Sequence, residues 1–207
     1  MNDIALCLHG QIRDFDKCLP AWKKFIDKYN PDIFYHTWDD MLTISSIKFS
    51  GFSITKSFDI QKYCAPSIIE YSSSARNVFP QMWSIKESVL QACSFDQIKK
   101  YKWLVRSRFD LSLHNPESIN FNEFRNGFFV ASNHWQGHAE MFDDNLMVGN
   151  FIHNACVSHD LFNYLNLFVN KNKKIPSGEQ LLSDYVHTKR LLVIKHSSLD
   201  FSLGRNL

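Results

Sequence analysis

The residues of this chain best suited to chemistry are Arg106-Ser107-Arg108-Phe109-Asp110. In an extended strand, side chains two apart share a face. Arg106, Arg108 and Asp110 are therefore expected to project together, with Val105, Phe109 and Leu111 on the other side. A guanidinium is a planar fork that matches phosphate oxygens in bidentate fashion, so two of them beside a carboxylate suit a diphosphate. The same spacing also fits an Arg–Asp salt-bridge row at a sheet edge. A second candidate is His9-Gly10-Gln11-Ile12-Arg13, directly after an apolar run. A glycine there lets a ligand approach the backbone, and Arg13 can reach back to it. One glycine is not the GxGxxG of a dinucleotide site, and an ordinary strand-to-helix turn reads the same way.

The acidic candidates lie further on. Phe142-Asp143-Asp144-Asn145 sets two carboxylates ahead of an apolar run. They can hold a metal, orient a hydroxyl or act as a base; a solvated turn or a helix cap has the same composition. Glu179 follows Ser177-Gly178, a helix-cap pattern in which it can simply complement the helix dipole. His134 and His138 stand four apart and invite a zinc reading, but the Glu of HExxH is missing and Gly137 weakens the helix that would align them. No GxSxG nucleophile elbow occurs.

These residues need a scaffold, and the hydrophobic pattern predicts one. Ile4-Ala5-Leu6-Cys7-Leu8 reads as a strand buried on both faces. A helical stretch spans Asp16 to Tyr29, with Leu19, Trp22, Phe25 and Ile26 at helical spacing, and Pro31 stops it. Asp32–Trp38 is a second strand running up to Asp39-Asp40. Strand, helix and strand in this space make a βαβ unit and set an α/β class with a mostly parallel central sheet flanked by helices. Further on, the pattern predicts a brief strand around Ser53–Phe58 and a long helix from Pro80 to Lys102. A strand then runs from Trp103 through Leu111, another covers Phe128–Ala131, helices cover Asp160–Val169 and Glu179–Thr188, and a last strand covers Arg190–Ile194. No repeat or linker interrupts residues 1–207, so one domain is expected.

Composition narrows the function classes. The chain has 207 residues, 44% of them hydrophobic and 21% charged, which supports a packed core and excludes a disordered chain. The 18 Phe, 7 Tyr and 5 Trp serve both a core and flat ligands. A net charge of +2 makes no case for nucleic acid. Five cysteines without a CxxC read as reduced thiols, and no signal peptide is visible. The apolar runs fall short of the roughly 18 residues of a membrane span. A cytoplasmic protein is expected, with a peripheral seat on a membrane left open.

Taken in order, several segments resemble a family of small GT-A-type nucleotide-sugar glycosyltransferases found in bacteria and large DNA viruses. They are Ala5 to Arg13, Asp32 to Asp39, Gln81-Met82-Trp83-Ser84-Ile85-Lys86, Lys102 to Leu111, Asp144-x-Leu146-x-x-Gly149 and Glu179-Gln180-Leu181-Leu182. The resemblance runs almost end to end. It implies a single Rossmann-like GT-A domain that moves a sugar from a nucleotide-diphosphate donor to a glycan or lipid-linked acceptor. The expected products are polysaccharide, lipopolysaccharide or glycoprotein glycan.

It also implies roles. His9, Gly10, Arg13, Trp83, Arg106, Arg108 and Asp110 would bind the nucleotide and diphosphate. Arg106, Arg108 and Asp110 stand where that family carries a DxD motif for metal and diphosphate. Here the row holds one acid, and Ser112 lies two beyond it. Asp110 is thus the expected contact for a divalent cation, Mn2+ or Mg2+, unless the two arginines replace the metal. Asp144 is the first choice for the base of an inverting reaction, followed by Asp143 and Glu179; a retaining enzyme needs no such base. Trp83, His134 and Trp135 are candidate walls for sugar rings. Two other readings stay open. One is a sugar nucleotidyltransferase, whose Gly-rich loop this chain lacks. The other is a non-catalytic glycan-binding protein on a degenerate transferase fold.

Overall fold

The computed structural model describes residues 3–38, 47–70, 75–124, 128–131 and 142–204. In chain order the elements are β1 (Ile4–His9), α1 (Phe15–Tyr29), β2 (Asp32–Trp38), β3 (Gly51–Thr55), α2 (Pro66–Glu70), α3 (Ala75–Lys99), β4 (Trp103–Arg108), β5 (Leu111–Leu113), β6 (Phe128–Ala131), β7 (Leu146–Asn150), α4 (Phe151–Asn172), α5 (Gly178–Lys189), β8 (Val193–His196) and β9 (Phe201–Leu203). A seven-stranded sheet has the order β3-β2-β1-β4-β7-β6-β8, and β5 pairs with β9 in a separate two-stranded sheet. In the main sheet every pairing is parallel except the two made by β7. The α/β class and the mostly parallel sheet flanked by helices are as the pattern predicts.

Alternation along β1 explains the layers. Leu6 and Leu8 pack on Phe15, Trp22 and Phe25 of α1. Ala5 and Cys7 face Val89 and Ala92 of α3 and Phe151 and Ala155 of α4. A strand covered on both faces can be apolar throughout, and β1 is wholly buried. The register sets Cys7 beside Arg106 and His9 beside Arg108, so these four side chains share the α3/α4 face of the sheet. Among the described residues no helix is long and apolar enough to cross a membrane.

Several boundaries differ from the pattern. Helix α3 starts at Ala75 and carries Pro80 inside it, ending at Lys99 where Lys100 turns left-handed at φ 59°. Pro80 is the sixth residue of α3, where it forfeits one backbone hydrogen bond and crowds the preceding turn, yet the helix runs on for 19 residues beyond it, so the proline does not mark the boundary. Helix α4 begins at Phe151 rather than Asp160, capped by Asn150, whose side chain accepts from the amides of Ile152 and His153. Arg190 is the left-handed cap of α5 at φ 52°, so the following strand starts at Val193. The edge strand β3 covers Gly51–Thr55 rather than Ser53–Phe58.

The correction with most consequence concerns β4. It ends at Arg108; Phe109 and Asp110 form a turn, and the chain leaves for β5, which pairs with β9. Asp110 is therefore not a third member of one alternating row. Phe109 and Leu111 stay buried in the same core cluster as Val105, so the apolar pattern continues through the bend.

Candidate functional site

The order β3-β2-β1-β4 reverses direction between β1 and β4. From β1 the chain passes through α1 to β2 on one side; α3 on the opposite face delivers it to β4 on the other side. In open α/β sheets ligands bind at this switch point, outside the carboxyl ends of the strands. A cleft of about 370 Å³ opens there. His9, Gly10, Gln11 and Arg13 line one side, Arg108 and Asp110 the floor strand's end, Trp38 the end of β2, and Asn77, Pro80 and Gln81 the start of α3.

The glycine turn is pinned from behind. Gly10 adopts φ 98°, a conformation that selects glycine. Its N–H donates to the His36 carbonyl at 3.2 Å and to Ser84 Oγ at 2.8 Å. The His36 ring is buried, with Nδ1 2.7 Å from Ser84 Oγ and Nε2 2.8 Å from Thr55 Oγ1. Burial pushes its pKa down to about 4, which keeps the ring neutral. His9 is only 1% exposed, and neither of its ring nitrogens has a hydrogen-bond partner. Burial first, then Arg106 and Arg108, hold it far below the usual imidazole range.

The two arginines have different surroundings. Arg108 grips Asp110 with both arms, Nε to Oδ1 at 2.7 Å and Nη2 to Oδ2 at 2.6 Å, while Nη1 donates to Asn145 Oδ1 at 3.1 Å. Asn145 is fixed in turn by Asp143, which accepts its amide at 2.7 Å. Arg106 lies below the cleft and does not line it. It is fully buried, donates from Nη2 to the Asp144 carbonyl at 2.8 Å, and leaves Nε and Nη1 without partners. Burial lowers its pKa to about 10, opposed by Asp144 and Asp143, so it stays charged at neutral pH. The expected convergence of three side chains is thus replaced by one buried cation and one closed ion pair at the wall of an open cleft.

Asp144 is 2% exposed, and Oδ2 accepts from Gln81 Nε2 at 2.8 Å. Gln81 stands between it and the cleft. Burial, then Glu179 and Asp143, push the Asp144 pKa up to about 7 against the pull of Arg106 and Arg108. A carboxyl that binds its proton more tightly when folded contributes stability at low pH, and that contribution is lost as pH rises through the folded value. The Asp144→Asn variant is therefore expected to gain stability relative to the parent as pH rises from about 4 to about 7. Urea unfolding of both proteins across that range measures the difference. A constant difference would show that Asp144 titrates as it does in the unfolded chain.

Asp143 is buried, and Glu179 sits half-buried in the first turn of α5, so the three acids gather behind Gln81. Trp83 does not line the cleft: its Nε1 donates to Thr55 Oγ1 at 3.2 Å and its ring packs on Phe58 and Phe162. His134, Trp135 and His138 lie outside the described residues.

For a divalent cation the fit is poor. Both oxygens of Asp110 accept from Arg108, and a hard cation needs several free oxygen ligands. Among the described residues no group of three or more His, Cys, Asp or Glu side chains is placed to hold a metal ion.

Trp38, Gln11, Asn77, Gln81 and Asn145 are the site residues that residue-type reasoning passed over. Trp38 was identifiable from its place at the carboxyl end of β2, where the switch-point rule puts ligands. The others are neutral polar side chains with no distinguishing spacing. Neither a scan against protein-family models nor a search of curated proteins gives a match for this chain.

Proposed function

We propose that this protein is a glycosyltransferase of GT-A type, which binds a nucleotide-diphosphate sugar in the switch-point cleft and transfers the sugar to a hydroxyl of a glycan or lipid-linked acceptor. One observation carries this reading: the crevice between β1 and β4 presents Arg13, Arg108 and a pinned glycine turn to a cavity of about 370 Å³, within the size range of small-molecule pockets. The indole of Trp38 offers a flat apolar wall for a base or a sugar ring.

Cleavage of the sugar–phosphate bond builds negative charge on the leaving diphosphate. Arg108 meets that charge by sharing its grip on Asp110, Arg13 meets it from the β1–α1 loop, and buried Arg106 adds a fixed positive field from below. The acceptor hydroxyl gives up its proton as it attacks. Asp144, with a proton affinity near neutrality, takes that proton when Gln81 yields its hydrogen bond. No step runs through a metal, because the Asp110 carboxylate is already neutralised by Arg108.

A nucleoside diphosphate at about 100 times its Kd is expected to raise the melting temperature by roughly 5–10 °C. UDP, GDP, CDP and dTDP are the four to compare. A melting temperature unmoved by all four overturns the reading. The closed Arg108–Asp110 pair and the shielding of Asp144 favour one alternative, a non-catalytic nucleotide- or glycan-binding protein. Nucleotide binding without hydrolysis or transfer of any donor sugar would select it.

A further inference from the structure

Away from the cleft, a second cavity of about 360 Å³ is lined by His153, Cys156 and Val157 of α4, Tyr185 of α5, and the chain from Arg190 to Leu192. It lies at the opposite end of the sheet. Helix α4 starts where the amide of Phe151 donates to the Lys102 carbonyl, just before β4, whereas the cleft opens where β4 ends. Helix α5 starts against Asp144 and ends at this groove.

Two large apolar side chains stand in solvent beside it, Ile152 at 66% and Leu192 at 57% exposure. Ile152 is one turn from Cys156 on the same stripe of α4, and Ile194 of β8, two residues after Leu192, is also exposed. Basic side chains dominate the chain segment that closes the groove. Lys189 and Arg190 end α5, and no carboxylate occurs from Val186 to Leu199. The acids that border it are engaged: Asp160 accepts the Tyr185 hydroxyl at 3.3 Å, and Glu123 stands 3.0 Å from His196 Nε2.

We infer that this end of the molecule docks on an anionic lipid bilayer. An acyl chain enters the groove, Ile152 and Leu192 insert beside it, and Lys189 and Arg190 face the lipid phosphates. The exposed apolar surface extends past the groove, so a bilayer covers what a single bound chain leaves wet. The orientation turns the switch-point cleft away from the membrane, which suits a glycan acceptor in solution rather than a lipid-linked one. Docking here does not depend on what the cleft binds.

The test is flotation of the full-length protein with vesicles of phosphatidylglycerol or of phosphatidylcholine, at low and high salt. Retention is expected on phosphatidylglycerol only, weakened by salt. Leu192→Asp and Arg190→Glu, both at exposed positions, are each expected to cut it by about tenfold. A polarity-sensitive dye on Cys156, the exposed cysteine, is expected to report an apolar environment on binding. Nucleotide-induced melting shifts should be the same in both variants, which separates this result from the fate of the cleft reading. Any of these outcomes on vesicles or in solution overturns the inference. They are no retention, equal retention on phosphatidylcholine, retention untouched by both substitutions, or a dimer abolished by Leu192→Asp. Protection of Cys156 from alkylation by decanoate, without vesicle retention, also overturns it in favour of a free amphiphile.

Discussion

Replacing Arg108 by alanine is expected to weaken nucleoside-diphosphate binding by about 100-fold or more, roughly 3 kcal/mol. Two effects add. The charge-assisted hydrogen bonds to phosphate are lost, and Asp110, now stripped of the guanidinium that grips both its oxygens, leaves a bare carboxylate facing the ligand. The companion Asp110→Asn separates the ways this pair can work. If Asp110 only holds Arg108, the amide releases a full guanidinium to the diphosphate, and affinity rises on the order of tenfold. If Asp110 anchors the ligand through a cation, affinity falls as it does in Arg108→Ala, and the arginine-only site is wrong. Calorimetric titration in the presence and absence of Mn2+ reads both variants, and their melting curves report whether each still folds.

Gly178→Ala is expected to cost stability out of proportion to one methyl group. A Cβ at Gly178 would lie 2.7 Å from Asp144 Cγ and closer still to Oδ2. Either the start of α5 lifts away, or Asp144 swings off Gln81. Overpacking costs about 1–3 kcal/mol and the lost hydrogen bond about 1 more, while alanine's better helix propensity returns less than about 1 kcal/mol. A net loss of about 1–3 kcal/mol lowers the melting temperature by roughly 2–12 °C in a chain of this size. An unchanged melting temperature would mean that Asp144 is not held against α5.

What could be read in advance follows from how local each signal is. Strand β1 was legible because a run apolar on both faces has few homes besides the middle of a sheet. Helix α1 and strand β2 were legible from periodicity and from Pro31 between them. The end of β4 was not, because Val105, Phe109 and Leu111 all enter the same core cluster. Burial alternates through the turn as it would along a straight strand, so the pattern carries no mark of the bend. For the same reason Asp110 was grouped with Arg106 and Arg108 by count, although the backbone turns before it. Helix α4 was recognised only in its second half, since the Asn150 cap that starts it is a single polar residue with no local marker.

The sequence alone determined β1, α1 and β2, the α/β class and the set of ionic side chains available near the ends of β1 and β4, because these depend on neighbours within a few residues. Tertiary structure decided which charges neutralise one another, that Arg106 is sealed beneath the cleft while Arg108 reaches its wall, and that Asp144 holds its proton near neutrality. Those outcomes depend on burial and on groups brought together from far along the chain, Gln81 and Glu179 on Asp144 and Asn145 on Arg108. Desolvation and Coulomb energies are fixed by such distances in space, which no local pattern encodes.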